Sequence, residues 1–134
     1  NLTAIWVCTN TAARLMRDGG RIVNISSKAA VTTVMGSGHY AAAKAAVNSL
    51  TTTYAKELGP RIRVNCIMPG AVPTEIMMKA MRLEDEDLPK LEKMLRMPMR
   101  RLGTPDDLGQ AVLYFVSPAS SWVTGQVIGI DGGL

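Results

Sequence analysis

Residues 20–70 read GRIVNISSKAAVTTVMGSGHYAAAKAAVNSLTTTYAKELGPRIRVNCIMPG, and this stretch decides the fold. Ile22, Val23 and Ile25 form a short apolar run, which predicts a strand buried on both faces. Ser26 to Gly38 is small, polar and β-branched, which predicts a loop leaving the carboxyl end of that strand. From His39 to Leu58 an alanine-rich run predicts one long helix, terminated by Gly59-Pro60. Arg61 to Ile67 reads as a second buried strand, broken by Pro69-Gly70.

The flanks repeat the alternation. Leu2, Ile5, Trp6, Ala12, Ala13 and Met16 recur at helical spacing, and Gly19-Gly20 end that helix with residues free to adopt positive φ. Residues 74–99 predict one or two short Met-rich helices interrupted by Pro89 and Pro98. Thr104-Pro105-Asp106-Asp107 is a strong helix start, with a Thr cap, Pro in the first turn and acids facing the helix dipole. That helix runs to about Val116, and Gln126 to Ile130 is a last strand. Helices alternating with strands predict an α/β layered sheet with parallel strands. Ligands collect at the carboxyl ends of such strands, so the loops after Ile25 and Ile67 are the places to look.

Composition narrows the function classes. The 134 residues, 47% hydrophobic and 19% charged, suffice for one globular domain and not for two. No stretch approaches the roughly 18 unbroken apolar residues of a membrane span. Cys8 and Cys66 form neither a disulfide framework nor a metal quartet, so no metal site is expected and a reducing compartment is. The chain opens at Asn1 inside a helical pattern and stops at Asp131-Gly132-Gly133-Leu134, which reads as a piece of a longer protein. The net charge of +4 is concentrated in Lys90, Lys93, Arg96, Arg100 and Arg101. Acids at 84–87 and 92 offset it, and no aromatic residue lies between Met77 and Arg101 to stack a base. A solvated face is expected there, and no nucleic-acid partner.

Two patterns compete for the loop after Ile25. Gly36-Ser37-Gly38-His39-Tyr40-Ala41 matches G-x-G-x-x-A, a dinucleotide fingerprint, but the glycines come ten residues after the strand ends. They are expected instead to let the loop approach the helix start. The sharper pattern is Tyr40 and Lys44, four apart and therefore on one helix face, with Ser27 just past the strand's end. A hydride moving between a nicotinamide and a carbonyl carbon leaves an alkoxide that needs a proton, and the reverse step needs a base. A phenol ionises near pH 10, too high for efficient work as a base at neutral pH. An ammonium group within about 5 Å favours a phenolate. A hydroxyl such as that of Ser27 can hold the carbonyl oxygen by a hydrogen bond that strengthens as charge develops.

These residues resemble those of the short-chain dehydrogenases/reductases over essentially the whole chain. Gly20-Arg-Ile-Val-Asn-Ile-Ser-Ser27 resembles the family's strand leading to its catalytic serine, and Tyr40-Ala-Ala-Ala-Lys44 its Tyr-x-x-x-Lys. Arg63-Val-Asn-Cys-Ile-Met-Pro-Gly70 with Ala71-Val72-Pro73-Thr74 is similar to the loop that touches the nicotinamide. Arg101 to Asp107 and Ser121 to Gly133 are similar to its closing helix and strand. Ala30, where the family often has Gly, and Pro73 are small departures that remove no catalytic group.

The resemblance implies the carboxyl-terminal half of a doubly wound Rossmann-type parallel sheet, with about three strands, flanking helices and a Met-rich helical lid over approximately 74–99. Residues 1–134 would form a single incomplete domain. It implies Tyr40 as proton donor and acceptor, Lys44 on the nicotinamide ribose hydroxyls and tuning Tyr40, and Ser27 orienting the substrate oxygen. Asn1 matches the family's fourth catalytic residue, in a water-linked proton relay; read without the family, it simply caps the first helix. Pro69, Gly70, Val72 and Thr74 would contact the nicotinamide and nearby phosphate. The cofactor is NAD or NADP, with the glycine-rich turn and the residue that chooses between them lying before Asn1. The chain alone is therefore expected neither to bind a dinucleotide well nor to turn over substrate.

Six of the nine methionines (Met77, Met78, Met81, Met94, Met97 and Met99) fall in the lid segment. They suit an adaptable pocket for a bulky, largely apolar alcohol or ketone, or else only pack the lid's own helices. Residues 99–108 and 117–123 resemble hydroxysteroid dehydrogenases and oxoacyl reductases alike, which implies a substrate of the hydroxysteroid or 3-oxoacyl type. A cytoplasmic homotetramer is expected from the resemblance. A non-catalytic relative that senses dinucleotide or scaffolds partners is the alternative.

Overall fold

The computed structural model describes residues 1–32 and 34–134. Thr33, inside the loop expected over 26–38, lies outside the described residues. Among the described residues the elements are α1 (Thr3–Leu15), β1 (Gly20–Ile25), α2 (Gly38–Leu58), β2 (Ile62–Pro69), α3 (Glu75–Met81), α4 (Leu88–Leu95), α5 (Pro105–Val116) and β3 (Val127–Ile130). Short 3-10 turns occupy Lys28–Ala30, Asp85–Asp87 and Pro118–Ser120. The strands form one sheet in the order β1-β2-β3, both pairs parallel, as the alternation of elements predicts.

Side-chain alternation along β2 sorts the layers. Ile62 and Val64 join Ala13, Tyr54 and Ala55 in one apolar cluster, so that face is covered by α1 and α2. Arg63, on the other face, donates to the carbonyls of Phe115 and Val123, both at 3.0 Å, which places α5 and the segment after it there. Asn65 continues this face: its amide donates to the Val123 carbonyl and its side-chain oxygen accepts the Gln126 N–H, each at 3.0 Å. A half-buried Arg63 and a buried Asn65 thus sit in the central strand because they tie down the chain leading into β3. On the opposite side Arg61 donates to the carbonyls of Met16 (2.6 Å) and Ala13 (2.7 Å), partners for the carbonyls that a helix end leaves unmatched.

The structure differs from the sequence reading in four places. β2 is buried on both faces, but β1 is not: Ile25 is 42% exposed, and Arg21 is also exposed. β1 is an edge strand among the described residues, and its odd-numbered positions are only partly covered. Pro89 does not interrupt a helix but sits in the first turn of α4, where its missing N–H costs nothing. The α1 N-cap is Leu2, with no side-chain cap bond, so the exposed Asn1 does not cap that helix. Of the two loop glycines, Gly36 has φ of +76° and needs its freedom, whereas Gly38 has open space where a Cβ would stand. Close approach therefore does not explain Gly38. The Thr104 start of α5 is as expected: its hydroxyl accepts the Asp107 N–H, and the Asp107 carboxylate accepts the Thr104 N–H at 2.8 Å.

Candidate active site

Parallel pairing brings the carboxyl ends of β1 and β2 side by side, with Ile25 opposite Ile67. The chain leaves β1 through Ser26 and Ser27. The Ser26 N–H donates to the Ile67 carbonyl at 2.8 Å, extending the ladder by one residue. Ser27 caps the turn that follows, its hydroxyl oxygen accepting the Ala29 N–H at 3.2 Å.

Helix α2 starts above this edge. Tyr40 lies in its first turn, partly buried, and Lys44 one turn later, only 9% exposed. A buried ammonium needs acceptors, and Lys44 Nζ donates to the Ile25 carbonyl at 2.8 Å. From there Nζ is 5.8 Å from the centroid of the Tyr40 ring, within reach of its π face. The structure thus brings Lys44 to Tyr40 and to the strand end two residues before Ser27. Asn1 stands apart, exposed ahead of α1.

An ammonium carries three N–H donors, and among the described residues one is bonded here, to Ile25. Two donors left on a charged group beside a phenol suit the vicinal hydroxyls of a ribose, so the residues present fit a nicotinamide dinucleotide.

The second loop is built more tightly. Pro69 ends β2 opposite Ile130, and the Gly70 N–H donates to the Ile130 carbonyl at 3.1 Å. A Cβ on Gly70 would lie 2.6 Å from the Asp131 Cα, so this close crossing admits only glycine. Val72 is buried against Gly103. Thr74 is exposed and caps α3, its hydroxyl oxygen accepting the Met77 N–H at 3.3 Å.

Sequence reasoning missed three residues here. Lys28, next to Ser27, makes an ion pair with Asp131, the residue after β3. Because β2 lies between β1 and β3, the pair joins the two outer loops across the turn at Pro69-Gly70. Burial pushes the Asp131 carboxyl up, but the bond from Lys28 and the Gly133 N–H outweigh it and leave it below its ordinary value. Opposite charges just past two strand ends were the available signal. The third is Ser26, whose hydroxyl donates to the Lys44 carbonyl at 2.9 Å in a buried contact. Its even position, continuing Ile22 and Asn24 on the α2 side, was the sign.

A family model described as enoyl-(acyl carrier protein) reductase matches residues 1–134. The 3-oxoacyl-[acyl-carrier-protein] reductase of Thermotoga maritima is 40% identical over 140 aligned residues, covering 100% of this chain and 54% of that protein. A crystal structure of a short-chain dehydrogenase/reductase, glucose/ribitol dehydrogenase, from Brucella melitensis superposes with a TM-score of 0.89 at 29% identity, over 98% of this chain and 52% of that one. A 7α-hydroxysteroid dehydrogenase solved with NADH and 7-oxo glycochenodeoxycholic acid matches with a TM-score of 0.75 at 38% identity, over 85% of this chain and 44% of that one. The chain spans about half the length of the curated relatives it matches. With a family-model match along its full length and a fold that superposes on a solved short-chain dehydrogenase/reductase over 98% of its residues, the chain belongs to the short-chain dehydrogenase/reductase family.

Proposed function

We propose that the whole protein carrying this chain is an NAD(P)-dependent oxidoreductase that interconverts a secondary alcohol and its ketone. The observation that carries this reading is the position of Lys44 Nζ, 5.8 Å from the Tyr40 ring centroid and bonded to the end of the strand that delivers Ser27. When bound, the nicotinamide supplies or accepts the hydride at the carbinol carbon. Tyr40 gives its hydroxyl proton to the substrate oxygen in reduction and takes it back in oxidation. Lys44 sets a positive charge beside the ring, where it stabilises negative charge, and offers its remaining donors to the ribose. Ser27 holds the substrate oxygen as charge builds there. Pro69, Gly70, Val72 and Thr74 form the wall against the nicotinamide, and Asn1 serves a water-linked relay.

The substrate in this reading is bulky and largely apolar, of hydroxysteroid or 3-oxoacyl type, under a lid over 74–99. Support comes from Met81, Met94 and Met99, which are exposed, although Met97 is buried, with its sulfur beside Gly132. Val72, Met99 and Ile130 also line a cleft of about 170 Å³ near the ends of β2 and β3. Assembly as a homotetramer is supported by an open apolar groove between α1 and α2 lined by Leu2, Trp6, Ala46 and Leu50. Free thiols at Cys8 and Cys66 suit the cytoplasm. The cofactor is NAD or NADP.

The test is Tyr40→Phe in the whole protein, assayed with both dinucleotides against a panel of steroids, oxoacyl thioesters and sugars. Turnover falls by at least about 10²-fold with the fold intact, the usual worth of a positioned general acid–base. Unchanged turnover overturns the acid–base reading and revives a dinucleotide-sensing or scaffold role. A substrate range confined to small polar sugars overturns the substrate class.

A further inference from the structure

We propose that Ser26 is a positioning residue for this reaction: its hydroxyl fixes the turn of α2 that carries Lys44 to the end of β1. The inference rests on the acid–base reading above. Ser26 is 2% exposed. Its hydroxyl donates to the Lys44 carbonyl at 2.9 Å, while the Lys44 ammonium donates back to the Ile25 carbonyl at 2.8 Å. Strand end and helix turn are therefore clasped in both directions, through neighbouring residues on the strand and one residue on the helix. The strand side is itself held, because the Ser26 N–H is bonded to Ile67.

A helix-interior carbonyl already accepts an N–H from one turn on, and its second lone pair is free for a side chain. The Ser26 bond adds nothing to the helix ladder. It sets where the helix stands along the sheet. Further along α2, Thr51 accepts from the Asn24 amide at 3.0 Å, a second buried polar link to β1. That link lies two helical turns from Lys44 and touches neither Tyr40 nor Lys44. The two links make a matched pair, one at the site and one remote from it.

Removing the Ser26 hydroxyl leaves the α2 start to apolar packing and to the flexible Lys44 side chain. Reaction geometry is steep in distance, with a displacement of about 1 Å costing up to about 10²-fold in rate. The loss is therefore expected in turnover and dinucleotide affinity together, since Lys44 serves both.

The experiment compares Ser26→Ala, Ser26→Thr and Thr51→Val in the whole protein. It reads melting temperature, dinucleotide affinity by quenching of intrinsic fluorescence, and steady-state constants. Ser26→Ala is expected to lower kcat about tenfold and weaken dinucleotide binding several-fold, while Ser26→Thr, which keeps the donor, restores both to within about twofold. Thr51→Val is expected to lower the melting temperature while leaving kcat and affinity within about twofold. Ser26→Cys keeps the shape and weakens the donor, so it gives an intermediate loss and reads the bond even where the alanine variant does not fold. If Ser26→Ala behaves like Thr51→Val, losing stability with unchanged kinetics, the inference is overturned. Tyr40→Phe run alongside separates the two claims. An inactive Tyr40→Phe with a kinetically normal Ser26→Ala overturns the Ser26 role alone. A fully active Tyr40→Phe overturns the acid–base reading and this inference with it.

Discussion

Lys44 donates from Nζ to the backbone carbonyl of Ile25 over 2.8 Å, although the two residues lie on different elements. A compact ammonium at the tip of a four-carbon stem fits this buried spot, and a planar guanidinium does not. Lys44→Arg is therefore expected to act as a severe change despite keeping the charge. In the whole protein it lowers kcat/KM by more than about tenfold, as a misplaced group does. Steady-state kinetics with and without saturating dinucleotide checks this, and wild-type constants for Lys44→Arg would remove the geometric requirement.

Arg61 does for α1 what no helical residue does, satisfying the carbonyls of Ala13 and Met16 at its carboxyl end. Arg61→Ala strips two charge-assisted hydrogen bonds and is expected to cost about 2 kcal/mol. Urea denaturation, read as a lower midpoint at constant slope, is the check. Arg61→Lys should recover only part, since a single ammonium does not reproduce the fork.

Gly70→Ala is expected to destabilise by about 1–3 kcal/mol, because the added methyl meets backbone rather than a movable side chain. The obstructing atom is the Asp131 Cα, 2.6 Å from where the Cβ would stand. A melting temperature equal to wild type would show that the approach of Gly70 to Asp131 is looser than this.

The Lys28–Asp131 pair carries a pH signature. The Asp131 carboxyl lies below its ordinary value in the folded chain, so the folded state binds its proton less readily than the unfolded state. Its contribution is therefore present above about pH 4 and lost as the pH falls through the folded value. Asp131→Asn is expected to melt lower than wild type at neutral pH, with the gap closing as the pH falls below the ordinary carboxylate range. A gap that stays constant down the acid limb would show that the pair contributes nothing through charge.

Local signals account for what was legible in the sequence. The α5 start announces itself within four residues, as Thr104, Pro105 and Asp107 each satisfy a need of a helix end. The spacing of Tyr40 and Lys44 likewise places both on one face before any partner is known. What stayed hidden depends on residues far apart in the chain. Lys28 and Asp131 are separated by 103 positions, and although parallel strands put both loops at one edge, no local pattern gives the strand order that lets these two charges meet. The incomplete cover of β1 is hidden for the same reason, since burial of Ile25 depends on which elements stand beside it. Pro89 shows a narrower limit: the same ring that breaks a helix interior also begins a helix, and position alone decides.

The two-sided division of β2 has a consequence for how this chain tolerates insertion and deletion. One residue added inside β2, between Ile62 and Arg63, would switch the faces of the side chains beyond it, sending Arg63 and Asn65 into the oily layer and Val64 and Cys66 out of it. The same single-residue indel in the exposed segment around 82–86 shifts no strand register. Length variation among natural or engineered versions should therefore gather at the second place and be purged from the first.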